Sequence, residues 1–159
     1  MKIVLFDLGD TLENNDVLLP GAMQTLKAIA NLRDAEGAPV AMGLVSDFDM
    51  PASPADIPAI RKSYLAILDA LGIRHFFEPT DRCVTLSSDV GVFKPDEKVF
   101  RAATDRFALN LAFTSVLFVT ENPIHVGAAH ALGMRAVHFE QLGSVEKAQI
   151  AIAALAKLR

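Results

Sequence analysis

Short apolar runs alternate along the chain with longer segments in which apolar side chains recur every three or four residues. An uninterrupted apolar run is typical of a buried parallel strand, and the longer spacing is typical of an amphipathic helix. The runs predict strands at residues 3–6, 40–45, 83–86, 115–119 and 135–139. The periodic segments predict helices at residues 20–33, 60–71, 96–107, 123–132 and 145–158. The proline-rich segment 50–58 is predicted to be a loop.

The alternation of strands and helices predicts an α/β protein. Strand and helix repeated at this spacing are typical of βαβ units, which build a mostly parallel central sheet with helices on both faces. We therefore expect residues 1–159 to form a single domain with a three-layer, Rossmann-like fold. In such sheets ligands bind beyond the carboxyl ends of the strands. Polar residues that directly follow strands are therefore the candidates for function.

Composition narrows the class of protein. Of the 159 residues, 52% are hydrophobic and 21% are charged, which is enough apolar material for a buried core and excludes a disordered chain. A net charge of −4 argues against a protein that binds nucleic acid by neutralising phosphates. The single cysteine, Cys83, cannot form an intrachain disulfide, and neither a secretory signal nor a membrane span is visible. We therefore expect a cytoplasmic protein.

Four predicted strands are followed by residues that carry chemistry. Asp7 ends the first strand, Ser46 and Asp47 end the second, Lys94 follows the third after a loop, and Glu121 ends the fourth. Because the carboxyl ends of parallel strands share one edge of a sheet, these side chains are expected to converge. A carboxylate can attack phosphorus, two carboxylates can share Mg²⁺ with phosphate oxygens, and an ammonium and a hydroxyl can offset phosphoryl charge. The set predicts phosphoryl transfer through an aspartyl-phosphate.

Four segments, in order along nearly the whole chain, resemble the signature motifs of the haloacid dehalogenase (HAD) superfamily. The first motif has an aspartate at the end of an apolar strand and a threonine four residues later, and the second has a serine at a strand end. The third has a lysine before a proline, and the fourth has an acidic residue at a strand end. The matching segments are residues 6–12, 44–47, 87–96 and 118–122.

The resemblance implies a role for each matching residue. Asp7 would be the nucleophile, Ser46 would hydrogen-bond the transferring phosphoryl group, and Lys94 would orient Asp7 and screen charge. The implied ligands of Mg²⁺ are Asp7, the backbone carbonyl of Gly9, and Glu121. The predicted substrate-binding residues are Leu8, Gly9, Asp10 and Asp47.

The chain departs from the phosphatases of this family in its first and fourth motifs. Gly9 stands where those enzymes have an aspartate that acts as general acid and base. Glu121 replaces the usual metal-binding aspartate, and His125 occupies the position of a second acidic residue. We expect His125 to lie at the rim of the site or near a helix start rather than on a metal. The dehalogenases of the family also lack the acid at the position of Gly9, and their asparagine in the fourth motif matches Asn122.

The spacing between the motifs leaves no room for the helical cap that covers the site in many family members. An uncapped site accepts bulky phosphorylated substrates, small or macromolecular, or takes a cover from another subunit of a homo-oligomer. Three hypotheses follow: a Mg²⁺-dependent phosphomonoesterase, an inactive module that binds a phosphorylated ligand or a protein partner, and a metal-independent hydrolase of the dehalogenase kind. The four motifs favour the first, Gly9 and His125 favour the second, and the missing cap disfavours the third.

Overall fold

The computed structural model describes residues 1–139 and 144–157 of the chain. Its strands are β1 (Ile3–Phe6), β2 (Glu13–Asn14), β3 (Val17–Leu18), β4 (Ala41–Ser46), β5 (Val84–Leu86), β6 (Val116–Thr120) and β7 (Arg135–His138). Its helices are α1 (Ala22–Ala30), α2 (Ile57–Ala70), α3 (Thr80–Cys83), α4 (Ser87–Val90), α5 (Glu97–Asp105), α6 (Pro123–Ala131) and α7 (Ser144–Ala156). Short 3₁₀ turns lie at Pro54–Asp56, Arg74–Phe77 and Phe113–Ser115.

The longer strands form one parallel sheet in the order β5-β4-β1-β6-β7. The chain completes the half with β4 and β5 before it crosses to β6 and β7, so the strand order reverses at β1. In open α/β sheets the crevice beyond the carboxyl ends of the strands at such a reversal is the usual ligand site. The predicted mostly parallel α/β fold is confirmed, and β1 places Asp7 at this crevice.

Consecutive side chains of β1 point to opposite faces of the sheet, so this strand contributes to two hydrophobic cores. Val4 and Phe6 belong to the core that also contains buried side chains of α1, α2 and α7. Ile3 and Leu5 belong to the core that contains those of α5 and α6. The sheet is therefore the middle of three layers. Within the described residues, no helix is both long and apolar enough to cross a membrane.

The predicted elements are all present, with shifts at their ends. One shift is at α2, which begins at Ile57, so the prediction that residues 50–58 form only a loop is wrong. Pro54–Asp56 forms a 3₁₀ turn, and Pro58 lies in the first turn of α2, where a proline removes no helical hydrogen bond. The predicted end of the last helix at Leu158 lies outside the described residues.

The antiparallel hairpin of β2 and β3 follows the first motif and was not predicted. Its two turn residues, Asn15 and Asp16, have positive φ angles of 51° and 62°. Hairpins with a two-residue turn favour this left-handed conformation, and asparagine and aspartate tolerate it better than most residues. The hairpin, α1 and connecting turns fill the described segment between Thr11 and Ser46, so no separate cap is inserted there.

A carboxylate between two arginines joins the helices around β5. The Asp89 Oδ2 atom accepts hydrogen bonds from Arg61 Nη1 and Arg106 Nη2, each at 2.9 Å, and from the Leu86 backbone N–H at 3.2 Å. Arg61 lies on α2 and also donates to the backbone carbonyls of Thr80 and Val84. The Asp89 side chain is only 10% exposed, so the two guanidinium groups depend on it for compensation of charge.

We expect Asp89→Ala to lower the free energy of unfolding by about 3 kcal/mol, because it leaves two partly buried cations without their carboxylate. Urea denaturation followed by circular dichroism measures the change. The matched control is Asp81→Ala, since Asp81 is also paired with Arg61, at 3.7 Å, but its side chain is 98% exposed. The control should change stability by less than about 1 kcal/mol. Equal losses in the two variants would contradict this account.

Candidate active site

Asp7 is fixed at the point where β1 ends. Its backbone N–H donates to the Val119 carbonyl at 3.0 Å, which holds the residue against β6. Its Oδ1 atom accepts from the Leu8 backbone N–H at 2.9 Å, and its Oδ2 atom lies 2.5 Å from Lys94 Nζ. The Asp7 carboxylate is therefore held from both sides, and the predicted pairing of Asp7 with Lys94 is present in the structure.

Lys94 contacts Asp7 from a loop whose backbone is fixed by a hydrogen bond to Asp47. The Lys94 side chain is only 1% exposed, and its Nζ also donates to the Val45 carbonyl at 3.0 Å. The Lys94 backbone N–H donates to Asp47 Oδ1 at 2.8 Å. Asp47, predicted to bind substrate, thus uses one carboxylate oxygen to position the lysine loop. Its role toward substrate stays a prediction.

Two carboxylates share one hydroxyl group at the end of β6. Thr120 Oγ1 lies 3.3 Å from Asp7 Oδ2 and 3.2 Å from Glu121 Oε2. A hydroxyl has one proton to donate, so it cannot satisfy both carboxylates at the same time. Thr11 supports Glu121 by donating to its Oε2 atom at 2.8 Å and accepting from its backbone N–H at 3.0 Å. The structure therefore brings Glu121 close to Asp7, and Lys94 supplies one positive charge against their two negative charges.

His138 is a supporting residue that the sequence did not single out as functional. Its Nε2 atom donates to the Glu121 carbonyl at 2.7 Å, from the neighbouring strand β7. The Cα partner of His138 across this strand pair is Thr120. The contact fixes the backbone of the acidic residue at the strand end. Its position at the carboxyl end of β7 was the only signal in the sequence.

His125 lies in the first turn of α6, near a helix start as predicted, and faces Asp7. Its Nδ1 atom is 4.0 Å from Asp7 Oδ2 and is buried without a hydrogen-bond partner among the described residues. Its Nε2 atom is 3.5 Å from Asn122 Nδ2. Burial lowers the pKa of His125, and the nearby charge of Lys94 lowers it further, against the opposing effect of Asp7. The imidazole is therefore kept neutral at pH 7.

Ser46 and the buried Tyr64 form a hydroxyl pair beside Asp7. Their oxygen atoms are 2.6 Å apart. Ser46 is the last residue of β4, and Tyr64 projects from α2 into the core below the site. Tyr64 was not among the predicted site residues, because its place on a helix gives no sign that it reaches a strand end.

The turn after Asp7 uses several of its own donors. The Leu8 N–H is bonded to the Asp7 carboxylate, and the Asp10 N–H donates to the Glu13 carbonyl at 2.7 Å. Asp10 has a left-handed backbone, φ 55°, and its carboxylate accepts from the Asn14 side chain. These two backbone groups, predicted to bind substrate, hold the turn in this structure. That they also contact substrate stays a prediction.

These side chains line an open cleft of about 410 Å³ at the carboxyl edge of the sheet. Its acidic lining residues are Asp7, Asp10, Glu13, Asp16, Asp47 and Glu121. Lys94 is the only lysine or arginine among the lining residues. The cleft is therefore strongly negative, which disfavours a phosphate dianion unless a cation enters with it.

Comparison with known proteins identifies the fold. No family model matches the chain, and no curated protein matches it. Among solved structures, a HAD-superfamily hydrolase from Ehrlichia chaffeensis is 13% identical, with a TM-score of 0.67 over 98% of each chain. A proposed HAD hydrolase from Bacillus subtilis, bound to magnesium, is 12% identical, with a TM-score of 0.62 over 85% of this chain and 56% of its own.

A third structure is that of a HAD-family hydrolase from Deinococcus radiodurans with bound phosphate and sodium. It is 18% identical, with a TM-score of 0.51 over 90% of this chain and 54% of its own. At these identities the likeness establishes the fold. The chain has the fold of the HAD superfamily, as the four motifs predicted, and Asp7 lies at the end of its central strand.

We expect the imidazole of His125 to titrate at a lower pH in the folded protein than in the urea-unfolded chain, because burial and Lys94 both disfavour its charged form. The measurement is a pH titration of the histidine ring resonances by NMR, with His125→Gln to assign the signal. Since its folded pKa is depressed, His125 lowers stability as the pH falls through its unfolded value. A folded pKa at or above the unfolded value would contradict the prediction.

Proposed function

We propose that the chain is a Mg²⁺-dependent phosphomonoesterase that acts through an aspartyl-phosphate on Asp7. The observation that carries the proposal is the buried contact of 2.5 Å between the Asp7 carboxylate and Lys94, at the carboxyl edge of the sheet. A carboxylate fixed in this way, with its partner cation, is suited to attack a phosphorus atom. The Ser46 hydroxyl lines the same cleft and is suited to bind a phosphoryl oxygen.

The proposed reaction has two steps. An Asp7 oxygen forms a bond to phosphorus while the bond from phosphorus to the ester oxygen breaks, and the leaving oxygen takes a proton from solvent water. A second water then attacks the phosphorus of the aspartyl-phosphate and loses a proton to solvent, and Asp7 leaves as a carboxylate with release of phosphate. Lys94 and Ser46 offset the negative charge on the phosphoryl oxygens in both steps. Their fixed positions avoid reorganisation during the reaction.

The donor atoms at the site fit a magnesium ion. Asp7, Glu121 and the backbone carbonyl of Gly9 would hold it, and all three supply the oxygen ligands that Mg²⁺ prefers. Asp7 and Glu121 carry two negative charges against the one positive charge of Lys94, which leaves negative charge for a further cation to compensate. Bound Mg²⁺ would gather phosphate oxygens and neutralise their charge. The solved structures with bound magnesium and with bound phosphate support this assignment.

The described residues contain no group of three acidic, histidine or cysteine side chains arranged to enclose a metal. Magnesium does not require such a group, because it is usually bound by one or two carboxylates together with water and substrate phosphate. The proposed ion therefore depends on the substrate for part of its coordination. The open cleft also favours bulky phosphate esters, because the described segment between Thr11 and Ser46 contains no separate cap.

A second candidate function is an inactive module that binds a phosphorylated ligand. The observation that favours it is Gly9, which has no side chain to protonate a leaving group. Asn122, which kept the dehalogenase alternative open, uses its side-chain carbonyl to accept from the Ile124 backbone N–H at 2.9 Å and caps α6. Gly9 and Asn122 permit the dehalogenase alternative, and the missing cap disfavours it.

Turnover of p-nitrophenyl phosphate tests the proposed function. We expect hydrolysis with Mg²⁺, loss of hydrolysis with a chelator, and at least a thousandfold loss in Asp7→Asn, because removal of the nucleophile abolishes the covalent step. Melting curves with and without Mg²⁺ confirm that each protein is folded. Near-normal turnover by folded Asp7→Asn would eliminate the mechanism, and phosphate binding without turnover would favour the inactive module.

Gly9→Asp tests the missing general acid. A carboxylate at this position should raise turnover of alkyl phosphates by about 10²-fold or more, and should raise turnover of p-nitrophenyl phosphate by less. The reason is that a poor leaving group depends more strongly on being protonated. The site can hold the side chain, since an added Cβ would lie 3.8 Å from Glu13 Oε1 and Gly9 does not adopt the left-handed backbone. Asp10→Asn is the matched control. An unchanged ratio of the two rates in folded Gly9→Asp would show that another group already supplies the proton.

A further inference from the structure

The hydroxyl groups of Ser46 and Tyr64 form a pair at the floor of the cleft. The two oxygens are 2.6 Å apart, and the residues are 2% and 1% exposed. The Tyr64 ring is held by the core and by Phe48, whose ring packs edge-on at a centroid distance of 5.2 Å. The phenol is therefore fixed in position, and its oxygen has one hydrogen-bond partner among the described residues.

The direction of the hydrogen bond between Tyr64 and Ser46 follows from the protonation of the phenol and the acceptors available to it. Burial raises the pKa of Tyr64, so the phenol keeps its proton at neutral pH. A buried donor without an acceptor is costly, and Ser46 Oγ is the acceptor available to it. A phenol is also a stronger hydrogen-bond donor than an aliphatic alcohol. Tyr64 therefore donates and Ser46 accepts.

The proton of Ser46 must then point elsewhere. Among the described residues, the Ser46 hydroxyl has Tyr64 as its hydrogen-bond partner. The Ser46 proton can therefore point into the cleft, which Ser46 lines. A hydroxyl that accepts one hydrogen bond becomes a better donor in the next. Ser46 thus presents a polarised donor in the cleft that Asp7 also lines.

We propose that Tyr64 is a positioning residue that forces the Ser46 hydroxyl to act as a donor into the cleft, and so selects ligands with an anionic, acceptor-only oxygen at that point. The inference rests on the proposed function for the identity of that oxygen, which is a phosphoryl oxygen. Tyr64 also lines the cleft, but in this arrangement its phenol proton is donated to Ser46, so Tyr64 acts through Ser46. Loss of the phenol hydroxyl lets the serine proton rotate away from the ligand.

A double-mutant cycle on phosphate binding tests the inference. The affinity for inorganic phosphate, with Mg²⁺ present, is measured by ³¹P NMR for the unmutated chain, Tyr64→Phe, Ser46→Ala and the double variant. We expect Tyr64→Phe to weaken binding about tenfold, the loss that corresponds to one hydrogen bond. In the Ser46→Ala background the same change should have no further effect, because its target is gone. Equal factors in both backgrounds would overturn the inference.

Two controls separate this role from a loss of stability. Thr104→Val removes another buried hydroxyl, on α5, whose partner is the Arg101 carbonyl, and it should leave phosphate binding unchanged. Ser46→Thr keeps a hydroxyl and should retain the dependence on Tyr64. If Thr104→Val weakens phosphate binding as much as Tyr64→Phe does, the effect is one of general stability and the inference is wrong.

A spectroscopic measurement needs no variant. The chain has one tyrosine and no tryptophan, so its tyrosine Raman bands report Tyr64 alone. We expect the Raman tyrosine doublet to have the form that is typical of a phenol donating a hydrogen bond. A doublet typical of an accepting phenol would overturn the inference even if the chain is an active phosphatase. Failure to hydrolyse p-nitrophenyl phosphate would instead overturn the proposed function, while the Raman and phosphate measurements still decide the role of Tyr64. A folded chain that binds no phosphate would overturn both.

Discussion

The buried ion pair between Lys94 and Asp7 is the contact on which the site depends. Removing either charge from water costs several kcal/mol, and only a close partner with further hydrogen bonds compensates for that cost. Lys94 has both, because its ammonium contacts the Asp7 carboxylate and the Val45 carbonyl. The ammonium group of Lys94 thus connects the ends of β1 and β4 with the loop after α4, although these segments are distant in the sequence.

The rest of the site is built on strand ends rather than on long loops. Asp7, Ser46 and Glu121 each lie at the carboxyl end of a strand or directly after it, and residues such as Thr11 and His138 hold them from the side. Groups on such a rigid platform need little reorganisation when charge develops. The same arrangement places several carboxylates at one edge of the sheet. The cleft as a whole, and not one residue alone, therefore attracts a cation.

The part of the site that the sequence predicted is the part that topology alone brings together. Parallel strands end at one edge, so Asp7, Ser46, Lys94 and Glu121 could be predicted to converge from their positions after strands. Tyr64 and His138 could not be predicted as site residues, because their contacts depend on how a helix packs on the sheet and on the direction of single side chains. The β2–β3 hairpin was missed for a related reason, since two-residue strands have no hydrophobic period to detect.

The backbone at Gly9 tolerates other residues, so this position is free to change during evolution. Glycine is often retained because the backbone tolerates nothing else, but here neither the φ angle nor the surrounding space demands it. The fold therefore does not require the position two residues after Asp7 to lack an acid. A lineage that carries this loop can gain or lose the carboxylate without rebuilding the turn, so closely related chains can differ in catalytic capacity while sharing one structure.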